Sequence, residues 1–241
     1  MQDMLVVYTM GKVASTTISE AIEQAGRPCY DVHTLIESGL LNDLHNFSDT
    51  NSLPPKHFGQ SLTIFRDFAN PKQKVKIITC VRDPFARNLS AIFQNLPQGA
   101  EISLAGITQR LEVTNPDKPG AWMRKDFLQS TGIDLLKQPF DTVQKYAKYS
   151  LGRFEILVLR VDLDDRLKEK IISDFVGVEV KLERKNDASE KWYQTIYADY
   201  LANGRIGRDW IEACVNSHYI KHYFSHDEVQ RIQTKARRFY L

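Results

Sequence analysis

The chain has few cysteines, no long apolar run and almost no net charge. Its three cysteines lack CxxC spacing, which predicts free thiols in a reducing compartment. No run approaches the roughly 18 apolar residues of a membrane span and no signal peptide is visible, so we expect a cytoplasmic protein that does not bind membranes. A formal net charge of +2 gives no general case for nucleic-acid binding. Any anion site must therefore be local.

Apolar runs alternate with helical patterns along the 241 residues. Four runs are typical of strands: Leu5–Tyr8, Cys29–Val32, Val75–Val81 and Phe154–Val161. Helical patterns follow the first, third and fourth runs, which predicts one α/β domain over residues 1–241 with a mostly parallel sheet, helices on both faces and a helical C-terminal part. Segments near 35–74 and 97–140 lack clear strand signals, and we expect them to be insertions that shape an acceptor site.

The polar loop after the first strand is the first candidate anion site. A strand, a short loop and a helix in this order point unpaired N–H groups and the positive end of the helix dipole at the loop. Lys12 adds a cation, and Ser15, Thr16 and Thr17 add hydroxyl donors. The alternative is that these hydroxyls only cap the helix and that the lysine is solvated.

The loop departs from the Walker A pattern, in which a lysine directly precedes the Ser/Thr. Here Gly11 precedes Lys12, and Lys12 stands three residues ahead of Ser15. The spacing therefore disfavours a metal-dependent P-loop kinase.

Lys12-Val-Ala-Ser15-Thr16-Thr17 resembles instead the 5′-phosphosulfate loop of sulfotransferases that use 3′-phosphoadenosine 5′-phosphosulfate (PAPS). Many members of that family have glycine where this chain has Ala14, but the glycan-type 2-O-sulfotransferases also use alanine. The resemblance implies a P-loop-like three-layer fold, PAPS as cofactor, adenosine 3′,5′-bisphosphate as product and no metal. It also implies that the loop contacts to the cofactor come from Gly11, Lys12, Val13, Ala14, Ser15, Thr16 and Thr17.

A second motif begins at the end of the 75–81 strand. Arg82 is followed eight residues later by Ser90, and Asp83-Pro84 opens the helix between them. An arginine at a strand end can hold an anion bidentately. The alternative is an ion pair of Arg82 with Asp83 and a serine bonded to its own helix. The motif resembles the site that binds the 3′-phosphate of PAPS in the same family.

Further stretches are similar to bacterial sulfotransferase-like proteins linked to capsular polysaccharide synthesis. They are Trp122 to Phe140, Asn186 to Tyr197 and His222 to Ser225. In cytosolic sulfotransferases a late Arg-Lys-Gly closes over the 3′-phosphate. Arg184 and Lys185 match its first two residues, whereas Asn186 replaces the glycine.

His33 is the candidate base for the acceptor. It follows the second strand, at the edge where open α/β sheets place their ligands, and the 2-O-sulfotransferases resemble it in placing a catalytic histidine there. A structural histidine is the alternative for His33, and Glu37 or another carboxylate in the insertions is the rival base. His218, His222 and His226 have a metal-like spacing, but a helix that starts at Ser225 would separate the last of them.

These features predict a sulfotransferase that moves a sulfuryl group from PAPS to a hydroxyl or amine of a sugar or small molecule. Lys12 would stabilise the leaving group and His33 would take the proton. Two alternatives stay open. One is a metal-dependent P-loop kinase, and the other is a nucleotide-binding regulatory protein without catalysis.

Overall fold

A computed structural model describes residues 3–50, 54–99, 101–183 and 191–241, without side chains for 48–50. Within these residues the chain forms five strands, twelve α-helices, one π-helix and two 3₁₀ helices. The strands are β1 Met4–Tyr8, β2 Tyr30–Val32, β3 Val75–Val81, β4 Tyr146–Leu151 and β5 Phe154–Arg160. The α-helices are α1 Ser15–Gln24, α2 Glu37–Thr50, α3 Lys56–Ala69, α4 Pro84–Gln94, α5 Leu104–Glu112, α6 Lys118–Trp122, α7 Leu128–Thr131, α8 Asp165–Val176, α9 Gln194–Asn203, α10 Arg208–Val215, α11 His218–Tyr223 and α12 His226–Ala236.

The chain divides into two compact units, and each unit takes two separate stretches of sequence. The first unit is 1–81 with 122–183, and it contains the sheet. The second unit is 82–121 with 184–241, and among the described residues it is helical apart from one isolated bridge, between Ile206 and Tyr240. The assignment of residues 1–241 to a single domain stays a prediction.

The sheet of the first unit has the strand order β2-β1-β3-β5-β4. The first four strands of that order run parallel, and β4 pairs antiparallel with β5. Successive residues Val6 and Val7, and Ile77 and Ile78, are all fully buried, so both faces of the central strands are covered. This confirms the predicted α/β class with a mostly parallel sheet.

The strand order reverses between β1 and β3, since the chain runs from β1 outward to β2 and then returns to the other side of β1. Open α/β sheets bind ligands outside the carboxyl ends of the strands at such a point. In the first unit, the Lys12 motif begins there. The Lys12 loop follows β1, and Arg82 is the residue directly after β3.

Strand β4 was not predicted. Its sequence Tyr-Ala-Lys-Tyr-Ser-Leu leaves every side chain at least partly exposed, as suits an edge strand. A two-residue turn with Gly152 at φ 63° joins it to β5. The Arg153 guanidinium lies 4.1 Å from the centre of the Phe154 ring, which fixes the turn against the first residue of β5.

The second unit contains the two helix starts that the sequence predicted. Asp83 caps α4 by accepting hydrogen bonds from the N–H groups of Phe85 (2.8 Å) and Ala86 (3.4 Å), and Pro84 is the first helical residue. Ser225 and Glu228 form the predicted capping box of α12.

Among the described residues, the 35–74 segment forms α2 and α3, and the 97–140 segment forms several short helices. That these segments shape an acceptor site stays a prediction. Cys29, Cys80 and Cys214 are buried free thiols, as predicted, whereas the reducing compartment stays a prediction. None of the described helices is both long enough and apolar enough to cross a bilayer.

Candidate functional site

The loop after β1 has a backbone that few residues adopt. Gly11, Lys12 and Ala14 all have positive φ, at 78°, 63° and 65°. An L-residue in the left-handed region costs roughly 1–2 kcal/mol, and such strain is concentrated at functional sites. The Gly11 N–H donates to Thr9 Oγ1 at 3.3 Å, and the Thr9 N–H donates to the Val32 carbonyl at 3.1 Å, which ties the loop to β2.

Ala14 is the N-cap residue of α1, and its side chain cannot cap the helix. The first-turn N–H groups of α1 are therefore left for another partner, and the helix dipole favours an anion there. Ser15 is buried, whereas Thr16 is exposed and Lys12 half-buried. The loop thus combines backbone donors, hydroxyls and a cation, and anion binding there stays a prediction.

Asp31 of β2 lies beside this loop. The nearby Ser15 and Thr16 hydroxyls act to lower the pKa of its carboxyl, and its N–H donates to Gln60 Oε1 at 2.7 Å. Burial raises the pKa of the Asp31 carboxyl to about 6, and the two hydroxyls only partly oppose that rise. Its Oδ1 is buried without a hydrogen-bond partner among the described residues. The anion loop therefore has a carboxylate at its side, which the sequence analysis did not assign to the site.

His33 follows β2 and lies against the loop. A Cβ built on Gly11 would lie 3.0 Å from His33 Nε2, so the close approach of ring and loop requires glycine. The ring of His57 stacks on that of His33, with centroids 4.0 Å apart and planes 30° from parallel. Burial is the main reason why the pKa of His33 falls to about 3, followed by the nearby His57 ring.

The turn after β2 is held by the π-helix Met123–Phe127 and the tryptophan before it. Trp122 Nε1 donates to the His33 carbonyl at 2.8 Å, and Thr34 Oγ1 donates to Asp126 Oδ1 at 2.8 Å. The buried Tyr8 hydroxyl donates to the Asp126 carbonyl at 3.2 Å. Single-turn π-helices are frequent at functional sites. Here the π-helix holds the backbone that carries His33.

The second unit holds the Arg82 motif. Tyr219 fixes the Arg82 backbone, because its hydroxyl accepts from the Arg82 N–H at 3.2 Å. Burial, followed by the nearby charge of Arg82, lowers the pKa of Arg87 to about 10. Two half-buried guanidiniums that repel each other are stabilised by an anion between them. Ser90 lies in α4, three residues after Arg87 on the same helix face.

The remaining predicted residues are distributed as follows. Glu37 is exposed at the first residue of α2. His218 and His222 share α11 with ring centroids 6.1 Å apart, whereas His226 begins α12, as the predicted helix start at Ser225 requires. The proposed closing residues Arg184 and Lys185 lie outside the described residues.

Sequence reasoning missed two members of the first-unit site. His57 belongs to α3, which packs against β2, and no local pattern connects it with His33. Asp31 lies in β2, and an acidic residue in a strand next to a candidate phosphate loop is a signal that sequence could have supplied.

Comparison with protein families gives one match. The NKWYS family, described as "Putative capsular polysaccharide synthesis protein", matches residues 101–225, more than half of the chain. The chain belongs to this family. The match contains the Trp122–Phe140 stretch that suggested a capsular link, but neither the Lys12 loop nor Arg82 and Ser90. Comparisons with curated proteins and with solved structures find no match.

Proposed function

We propose that this member of the capsular polysaccharide synthesis family is a PAPS-dependent sulfotransferase that modifies a hydroxyl or amine of a sugar or related small molecule. The observation that carries the proposal is the loop after β1. It combines a strained anion-binding backbone, Lys12 and an uncapped helix start at the point where the strand order reverses. A P-loop-like fold is part of the same proposal.

On the donor side, the proposal assigns the 5′-phosphosulfate to the loop. Sulfuryl transfer places growing negative charge on the bridging oxygen as it leaves. Lys12 and the N–H groups at the start of α1 are preorganised donors for that charge. The Ser15 and Thr16 hydroxyls, which lie near Asp31, add further donors or fix the loop in place.

The proposal assigns the 3′-phosphate to Arg82 and Ser90, with Arg87 as an additional cation. Support comes from the burial of both guanidiniums and from their mutual repulsion, since each would gain from a bound dianion. This phosphate distinguishes PAPS from adenosine 5′-phosphosulfate, so the motif would set cofactor specificity.

On the acceptor side, the family match favours a glycan or a glycan precursor. His33 was predicted as the base, and the structure puts two imidazoles rather than one beside the loop. O- and N-sulfation both need such a base.

A metal-dependent kinase is the second candidate, and Asp31 is the observation that favours it. Mg²⁺ in nucleotide sites is held by a loop hydroxyl and carboxylates, and Asp31 lies near the hydroxyls of Ser15 and Thr16.

Transfer of ³⁵S from labelled PAPS to glucose, N-acetylglucosamine and glucuronic acid, with EDTA present, tests the proposal. Labelled product in EDTA supports a sulfotransferase, whereas phosphorylated sugar formed only with Mg²⁺ and ATP would replace it by the kinase.

A further inference from the structure

Two stacked histidines, rather than one, lie beside the anion loop of the first unit. His57 is the second residue of α3, and α3 packs against β2, so its ring reaches the residue that follows β2. The ring centroids of His33 and His57 are 4.0 Å apart. The charge of Lys12 is close enough to lower the pKa of both rings.

The two rings differ in how far an acceptor can reach them. His33 Nδ1 is buried and has no hydrogen-bond partner among the described residues. His33 Nε2 faces Gly11 so closely that a Cβ there would lie 3.0 Å away. Both side chains are half-buried, but one nitrogen of His33 is enclosed and the other faces the loop, whereas neither ring nitrogen of His57 is buried without a partner.

The protonation behaviour of the rings points in the same direction. A general base is most effective when its pKa is near the working pH. Burial, His57 and Lys12 together lower the pKa of His33 to about 3, which makes it a weak base. The pKa of His57 is lowered by partial burial and then by Lys12.

We propose that His57 accepts the proton of the acceptor, and that His33 positions the His57 ring through the stacked contact. This inference rests on the proposed sulfuryl transfer. The acceptor oxygen or nitrogen forms a bond to sulfur while its proton moves to a ring nitrogen of His57. The bond between sulfur and the bridging phosphate oxygen breaks, and its electron pair leaves with adenosine 3′,5′-bisphosphate.

The first test compares His57→Gln and His33→Gln, with exposed His226→Gln of α12 as the control. Release of adenosine 3′,5′-bisphosphate from PAPS is followed against pH, with N-acetylglucosamine or water as acceptor. His57→Gln should lower kcat by about 10²–10⁴-fold and leave the affinity for adenosine 3′,5′-bisphosphate unchanged.

The pH profile separates a base from a structural residue. An imidazolium cannot accept a proton, so the wild-type rate should fall as the pH drops through the pKa of His57, below its ordinary value of about 6.5. This acidic limb should vanish in His57→Gln. It should persist in His33→Gln, with a smaller loss of kcat and intact nucleotide binding.

A second test needs no turnover. Diethyl pyrocarbonate acylates unprotonated imidazoles that solvent reaches, and peptide mass spectrometry locates the product. His57 should be acylated before His33. If His33 reacts first, or if His57→Gln keeps the wild-type rate and acidic limb, the inference is wrong while the proposed function stands. If wild type releases no product from PAPS with either acceptor, the proposed function fails and the inference fails with it.

Discussion

The loop after β1 and the segment after β3 are both candidate anion sites, yet they are built differently. The loop relies on backbone: three residues with positive φ and a helix start without a side-chain cap. The segment relies on side chains. The guanidiniums of Arg82 and Arg87 are half-buried, and the charge of Arg82 lies close enough to lower the pKa of Arg87. The comparison indicates that the first site depends on conformation and the second on residue identity.

The difference also suggests separate roles. A rigid backbone site is suited to charge that appears in the transition state, because its donors need no rearrangement. A guanidinium site is suited to a permanent phosphate dianion, which it binds equally in ground and transition states. Changes in the loop after β1 should therefore affect turnover, and changes in the segment after β3 should affect the affinity for the cofactor. Replacing Lys12 and Arg82 tests this separation, and replacing Asp31 and Ala14 tests how the β1 loop is held.

Replacing Lys12 should give the largest difference between the effect on turnover and the effect on cofactor affinity. Lys12→Ala should lower kcat by about 10²–10³-fold, as expected for a lost transition-state donor, with a much smaller change in cofactor affinity. Single-turnover rates and equilibrium binding of adenosine 3′,5′-bisphosphate would measure the two effects, with exposed Lys72→Ala as the control. Equal losses in rate and affinity would show that the loop after β1 does not act mainly on turnover.

Replacing Arg82 should give the opposite pattern. Charge-assisted hydrogen bonds contribute about 1.5–3 kcal/mol each, so Arg82→Ala should weaken PAPS binding roughly ten- to a hundredfold. Adenosine 5′-phosphosulfate lacks the 3′-phosphate and should bind wild type and variant alike. Calorimetric titrations would decide this, with exposed Arg110→Ala in the same unit as the control. An equal loss for both nucleotides would show that Arg82 does not bind the 3′-phosphate.

Asp31 provides a pH test of the backbone site. Burial raises the pKa of this carboxyl from 3.8 to about 6, so the folded state binds its proton more tightly than the unfolded state. The stability linked to this group is therefore full below pH 3.8 and is lost as the pH rises through about 6. Asp31→Asn should raise the free energy of unfolding at pH 7 by up to about 3 kcal/mol, and this gain should shrink toward pH 4.

Urea unfolding of Asp31→Asn at pH 7 and pH 4, beside exposed Asp67→Asn, measures that difference. A gain that does not change with pH would mean that burial does not raise the pKa of the Asp31 carboxyl.

The smallest effect concerns backbone strain alone. Ala14 has φ 65°, so Ala14→Gly relieves roughly 1–2 kcal/mol of left-handed strain and loses about 0.5–1 kcal/mol through the freer unfolded chain. We expect a net stabilisation of at most about 1.5 kcal/mol with nucleotide binding retained. Ala25→Gly at φ −74° should destabilise instead. Thermal unfolding of the pair would show whether the loop is strained.

Much of the sheet could be predicted, because each central strand is a continuous apolar run. The order of Val75–Val81, Asp83 and Pro84 predicted strand, cap and helix, and all three were confirmed. Strand β4 was missed since its exposed edge position permits the polar mixture Tyr-Ala-Lys-Tyr-Ser-Leu, which has no continuous apolar run.

The candidate site was predictable where it is local in sequence. The Lys12 loop and Arg82 each stand next to a strand, so a strand–loop–helix pattern identified them. The left-handed conformation of Ala14 was not predictable, because alanine alone favours the right-handed region. His57 joins His33 only through the packing of α3 on β2, which no local pattern encodes.

The central proposal is that the protein binds a nucleotide with a 3′-phosphate and needs no metal to do so. Isothermal titration of adenosine 3′,5′-bisphosphate in EDTA, compared with adenosine 5′-monophosphate in EDTA and with ATP plus Mg²⁺, tests it most directly. The account predicts that the bisphosphate binds in EDTA and binds more tightly than the monophosphate. Equal affinity for the two adenosine nucleotides, or tight binding of ATP that requires Mg²⁺, would contradict it.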